Sequence, residues 1–103
     1  MVFIETPIFT KLVQTLLTDD EYRELQQHLA DNPEAGPVIQ ESGGLRKVRW
    51  KQAHKGKSGG VRVIYYYVTA ASQVRMLLIY PKNEQENLTD AQLKALKSIV
   101  ERW

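Results

Sequence analysis

The basic residues of this chain are concentrated in a central segment that has no acidic residue. Between Ser42 and Asn83 there are nine lysines and arginines, whereas the rest of the chain has five basic residues and all twelve acidic ones. The net charge of +2 therefore conceals a cationic block with acidic flanks. Such a block attracts polyanions, so it predicts a nucleic-acid surface.

Arg62 is the most informative cation of this block. It begins a run of β-branched and aromatic residues, in which the alternation of a strand places it on the same face as Ile64 and Tyr66. An arginine at a strand end can hold a phosphate through two parallel hydrogen bonds. The alternative, an arginine that only keeps the edge of a sheet soluble, stays equally open at this point.

Three lysines could converge with Arg62. Lys55 and Lys57 belong to the glycine-rich loop before it, and Lys82 follows Pro81 at the end of a later strand. If these strands are neighbours, the four cations share one rim and can stabilise the charge that develops when a 2′-hydroxyl attacks the adjacent phosphate. Crowding also lowers the pKa of a lysine towards the range used in proton transfer. On their own, loop lysines are more commonly solvated charges.

His54 is a secondary candidate for proton transfer, because an imidazole titrates near neutral pH. This chemistry requires no metal ion, and two histidines without a cysteine argue against a zinc site. Aromatic residues of the strands could stack on bases, although most aromatic residues in strands pack in the core. Those concerned are Trp50, Tyr65, Tyr66, Tyr67 and Tyr80.

Composition excludes several classes of protein. The absence of cysteine excludes disulfides, thiolate catalysis and cysteine-ligated metal sites. No run of about 18 apolar residues predicts a transmembrane helix, and the N-terminus does not resemble a signal peptide. We therefore expect a cytoplasmic protein that does not associate with membranes. A length of 103 residues predicts one domain, 1–103.

The elements that would position these residues follow from capping and periodicity. Helices are predicted to begin after Thr6, Thr18 and Thr89, the last two within capping boxes. Strands are predicted at 2–4, 45–50, 61–68 and 74–80. This order predicts an α+β fold, with an N-terminal helical hairpin and a C-terminal helix packed on a small, mainly antiparallel sheet. We expect the helices to cover one face of the sheet and the other face to be open and basic.

Three spaced motifs resemble the RelE superfamily of bacterial toxins, and they are most similar to its HigB-type branch. The resemblance covers most of the chain, and the spaced set is more specific than any one motif. The motifs are GGLRKVR at 43–49, KGKSGGVRVIYY at 55–66 and LIYPKNE at 78–84.

The resemblance implies a function and partners. Members are toxins of type II toxin–antitoxin modules that enter the A site of the 30S ribosomal subunit and cleave translated mRNA without a metal or other cofactor. A cognate antitoxin, commonly a helix-turn-helix DNA-binding protein, neutralises the toxin, and operator DNA is bound only through the toxin–antitoxin complex.

The resemblance also implies roles for individual residues. The family's strand arginine corresponds to Arg62, its loop lysine to Lys55 with Lys57 nearby, and its last strand-end cation to Lys82. The prototype's catalytic tyrosine has no counterpart after Lys82, so Tyr80, a lysine or His54 would have to replace it. The remaining cations are predicted to hold the backbone of mRNA or rRNA, namely Arg46, Lys47, Arg49 and Lys51.

Two other functions remain open from the sequence. ParE-like relatives bind DNA gyrase and have no nuclease chemistry, but the dense set of cations argues against this activity. A non-catalytic module that binds RNA or the ribosome would also require a cationic surface, and its binding would weaken steeply with salt.

Overall fold

The computed structural model describes residues 1–52 and 59–103. Within these ranges the elements follow the predicted order, and a short 3-10 helix at Thr69–Ala71 joins the last two strands. The strands are β1 (Val2–Glu5), β2 (Arg46–Trp50), β3 (Val61–Val68) and β4 (Gln73–Pro81). The helices are α1 (Pro7–Leu16), α2 (Asp19–Asp31) and α3 (Asp90–Arg102).

All three helices begin at the predicted threonine caps. The Thr6 hydroxyl accepts a hydrogen bond from the Phe9 backbone N–H, and proline occupies the first turn of α1. Full capping boxes at Thr18 and Thr89 begin α2 and α3. A cap replaces hydrogen bonds that the first turn of a helix cannot make internally, which is why these boundaries were predictable from local sequence.

The sheet has the strand order β1-β4-β3-β2. β3 is antiparallel to both β2 and β4, whereas β1 lies parallel to β4 at the opposite edge. The register between β3 and β4 shifts at Ile64 and Tyr65, which pair with Leu78 and Met76 and leave Leu77 as an extra residue. Leu77 and Leu78 consequently both pack on the α3 side, since a bulge interrupts the alternation of a strand.

Both faces of the sheet are covered, so the prediction of one open, basic face is wrong. One buried cluster joins α1 and α2 to residues of the sheet such as Val63 and Met76. A second cluster, on the opposite face, contains Ile64 and Leu77 with Leu96 of α3. The C-terminal helix covers the second face because its apolar residues need a partner, and the first face is already occupied. No helix in the described ranges is long and apolar enough to cross a membrane.

Tyr65 links the sheet to the turn after α2. Its side chain is fully buried, its hydroxyl donates to the Pro33 carbonyl (2.8 Å), and it accepts from the Gly36 N–H (2.9 Å). A Cβ atom on Gly36 would lie 2.7 Å from the Lys47 carbonyl oxygen, so the close approach requires glycine. Tyr65 is therefore a structural residue and is not available to stack on a base.

Replacing Tyr65 by phenylalanine should lower the free energy of unfolding by about 1–3 kcal/mol, because the buried Gly36 N–H loses its acceptor. Urea unfolding at pH 7 measures this change. Tyr67→Phe is the matched control, because Tyr67 is half-buried on the same strand. Equal effects of the two substitutions would contradict the role of the Tyr65 hydroxyl.

Stability should also fall at alkaline pH. Burial raises the pKa of Tyr22, Tyr65 and Tyr80 in the folded chain. Below pH ~10, where tyrosine is protonated even when unfolded, this contribution to stability is fully present. As the pH rises further only the unfolded chain ionises readily, so stability is lost by up to about 1.4 kcal/mol per pH unit for each group. Urea unfolding from pH 8 to 11 tests this, and Tyr65→Phe should show a shallower decline than the wild type.

Candidate nucleic-acid interface

A row of three side chains crosses the sheet on the face that α3 covers. Arg62 of β3 pairs with Tyr80 of β4 on one side and with Arg49 of β2 on the other. Directly opposed residues of neighbouring strands project to the same face, about 5 Å apart at Cβ. Two arginines therefore face each other across β2 and β3, an arrangement that is unfavourable unless an anion lies between or above them.

The start of β3 depends on a glycine. Gly60 has a φ of +128°, and a Cβ atom at this position would lie 3.2 Å from the Trp50 carbonyl oxygen. Its carbonyl accepts from the Lys82 N–H at 3.0 Å, and its N–H donates to the buried Gln52 side chain. This turn brings the end of β4 beside the beginning of β3.

Arg62 is nearly buried and is paired with a carboxylate. Only 4% of the residue is exposed, and its Nη2 lies 3.4 Å from Oε1 of Glu86, whose side chain is 63% exposed. Its Nε is buried and has no hydrogen-bond partner within the described part of the chain. Burying a guanidinium is costly unless its donors are satisfied, so this cation is only partly compensated.

Tyr80 is a buried hydrogen-bond donor beside this guanidinium. Its hydroxyl has no partner among the described residues. Burial raises the pKa of Tyr80, the charge of Arg62 opposes this change, and Glu86 adds to it. The raised pKa keeps Tyr80 protonated at neutral pH, so it can donate a proton or a hydrogen bond.

The predicted site residues fall into several environments. Lys82 is exposed, and its backbone lies against Gly60, as the predicted neighbouring strands require. Arg49 and Lys51 are also exposed. His54, Lys55 and Lys57 lie outside the described residues.

Arg46 and Lys47 are engaged in contacts within the chain. The guanidinium of Arg46 donates to the Gly36 carbonyl (2.8 Å) and forms an ion pair with Glu34 (3.2 Å). The Lys47 ammonium donates to Oδ1 of Asn87 at 2.9 Å. Arg46 thus stabilises the turn after α2, whereas Lys47 holds the segment that follows β4.

Glu86 is the member of this site that sequence reasoning missed. In the sequence every acidic residue lies in the flanks of the cationic block, but the segment after β4 folds back over the sheet and places Glu86 on Arg62. The pair is separated by 24 residues in sequence, so no local pattern indicates it. The predicted role of Trp50 in stacking on a base is not supported by its contacts. Its indole N–H donates to the Glu21 carbonyl, and its ring packs against His28.

Comparisons with known proteins agree with this fold. The family model described as "RelE toxin of RelE / RelB toxin-antitoxin system" matches residues 23–103. A structure of the E. coli toxin RelE, an arginine-to-alanine double mutant in the free state, is similar with a TM-score of 0.60 and 13% sequence identity. The similarity covers 98% of this chain and 95% of that chain, which confirms the predicted fold class.

The two arginines of β2, the half-buried Arg46 and the exposed Arg49, should behave differently when replaced. Arg49→Gln should weaken binding of a short RNA and reduce the slope of log affinity against log salt by about 0.7–0.9, because one phosphate contact is lost. Arg46→Gln should instead lower stability, because it releases the turn held at Gly36 and Glu34.

Fluorescence anisotropy across a NaCl series measures the salt dependence of RNA binding. Urea unfolding measures the change in stability. The separation of roles would be contradicted if Arg46→Gln reduced the salt slope as much as Arg49→Gln while leaving stability unchanged.

Proposed function

This chain belongs to the RelE toxin family of toxin–antitoxin systems, and we propose that it is a ribosome-dependent endoribonuclease that cleaves translated mRNA in the ribosomal A site. The observation that carries this proposal is the opposed pair Arg49 and Arg62, next to the end of β4 where Lys82 lies. Two guanidinium groups and a lysine at one end of a sheet can hold successive phosphates of an RNA backbone.

The proposed reaction is an internal transesterification. The ribose 2′-oxygen forms a bond to phosphorus, the bond from phosphorus to the 5′-oxygen breaks, and a 2′,3′-cyclic phosphate results. Arg62 and Arg49 stabilise the charge on the non-bridging oxygens, which rises in the transition state. The charge of Lys82 supports the two arginines, and Lys55, Lys57 or His54, which precede β3 in the sequence, is proposed to accept the proton of the 2′-hydroxyl. Tyr80 supports protonation of the leaving group, since its protonated hydroxyl can donate to the departing 5′-oxygen.

The family implies an antitoxin partner. We propose that this antitoxin is a helix-turn-helix protein that neutralises the cationic surface with acidic side chains and carries the toxin to operator DNA. The spaced motifs support placement in the HigB-type branch. We propose that residues 1–103 act as one toxin domain, and the pairing of β1 with β4, far along the chain, supports this. A ribosomal target places the toxin in the cytoplasm.

One observation favours a second candidate, a non-catalytic module that arrests translation by binding the ribosome. Arg62 is only 4% exposed, so in this conformation its guanidinium is largely inaccessible to RNA. Such a module would arrest translation while messages remain whole. A ParE-like gyrase inhibitor would instead cause DNA damage with intact messages.

Replacing Arg62 by alanine should reduce mRNA cleavage about 10²–10³-fold, the range expected when one donor to a developing oxyanion is lost. Primer extension on cellular mRNA after brief induction measures cleavage, and cuts within coding regions support the nuclease. Arg75→Ala is the matched control, because Arg75 lies towards the other end of β4 and stacks on Trp103. Circular dichroism checks whether both variants remain folded.

The outcomes separate the candidates. Full cleavage by folded Arg62→Ala protein at equal expression would contradict the catalytic assignment. Translation arrest by the wild type without any cut message would favour the non-catalytic module.

A further inference from the structure

The carboxylate on Arg62 comes from the segment that follows the acid-free block. Glu86 lies 3.4 Å from the Arg62 guanidinium, while most of its own side chain is in solvent. Its carboxylate therefore covers the cation from the solvent side. An RNA phosphate that approached Arg62 would need the position that Glu86 occupies.

The segment that carries Glu86 is anchored on both sides. Asn87 accepts a hydrogen bond from the Lys47 ammonium of β2. Gln85 donates to the Gln92 side chain at 2.8 Å and to the Asn87 carbonyl at 3.0 Å. Gln92 is also the capping-box residue of α3, so the segment is attached to the N-terminus of that helix. These anchors hold Glu86 over Arg62 even though its side chain is exposed.

The pair leaves hydrogen-bonding capacity unused. A guanidinium has five N–H donors, and Glu86 makes one contact with Nη2. The Nε of Arg62 and the hydroxyl of Tyr80 are both buried and lack a partner within the described ranges. Because these groups are cross-strand neighbours, one anion with several acceptor oxygens could engage both. A phosphodiester has this chemistry, whereas the single carboxylate contact leaves both donors unused.

We propose that Glu86 is an internal competitor for the RNA phosphate, which occupies Arg62 in the free toxin and is displaced when a phosphodiester group binds. The inference rests on the proposed function in naming RNA as the ligand of this site. A carboxylate and a phosphodiester each carry one negative charge, so the exchange is favourable only where other cations also hold the RNA. Glu86 therefore selects for RNA that is already positioned along the cationic surface.

Replacing Glu86 by glutamine should strengthen the binding of a short 2′-O-methyl RNA, which has no 2′-hydroxyl and is not cleaved. Glu84→Gln is the matched control, because it removes the same charge from the same segment and Glu84 has no ion pair to Arg62 among the described contacts. Fluorescence anisotropy at low salt should show a gain of about five- to tenfold for Glu86→Gln beyond that of Glu84→Gln. Equal gains would overturn the proposal, because they would reflect net charge alone.

Measurements in Arg62 variants test whether the gain in RNA binding depends on Arg62. In an Arg62→Gln background the additional gain from Glu86→Gln should disappear, and its persistence would overturn the competition for Arg62. If Arg62→Gln does not fold, Arg62→Lys serves in its place, and the gain should then be reduced.

Primer extension with Glu86→Gln should show at least wild-type cleavage. Tighter binding with loss of cleavage would show that Glu86 also takes part in the reaction, and it would contradict a role confined to competition. A wild type that binds RNA but cuts no message would instead contradict the proposed function, while the binding comparison of the two glutamate variants would still support competition.

Discussion

The antiparallel pairing of β3 with β4 is the interaction on which the rest of the structure depends. These two strands form the centre of the sheet, with β2 added on one side and β1 on the other. Their residues contribute to the buried clusters on both faces, so both helical layers pack on the same pair of strands. The same register sets Arg62 opposite Tyr80 and brings the end of β4 to Gly60. The packing of both helical layers and the position of Arg62 beside Tyr80 therefore depend on this one pairing.

A cation buried in this sheet lowers the stability of the fold but strengthens the binding of an anion. An aliphatic side chain at position 62 would extend the apolar cluster of Ile64 and Leu77, whereas Arg62 must be desolvated and is only partly hydrogen-bonded. A rigid, desolvated guanidinium binds an anion more strongly than one in water, because the local dielectric is low and little reorganisation is needed. The protein thus holds a poorly compensated charge at the position to which the proposed function assigns an RNA phosphate.

The covered second face changes how the cationic block is understood. With α3 packed on that face, the cations are not spread over an open surface but divide by environment. Arg46 holds a turn, Lys47 holds the segment after β4, and Arg49 remains exposed. Although the cationic block has no acidic residue of its own, Glu86 from the following segment forms an ion pair with Arg62. Charge density along the sequence therefore overstates the number of free cations at the site.

The sequence alone determined the elements and their order, because caps, strand alternation and turn residues act over three or four neighbours. Thr18 with Glu21, and Thr89 with Gln92, specify the starts of two helices wherever those helices pack. The sequence also indicated Arg62 as the central cation and placed it on the face of Ile64. Only the tertiary structure decided which face α3 covers, that Arg49 lies opposite Arg62, and that Glu86 pairs with Arg62. These contacts join residues 13 or more positions apart, and they depend on the register and burial of the whole sheet, which no local pattern encodes.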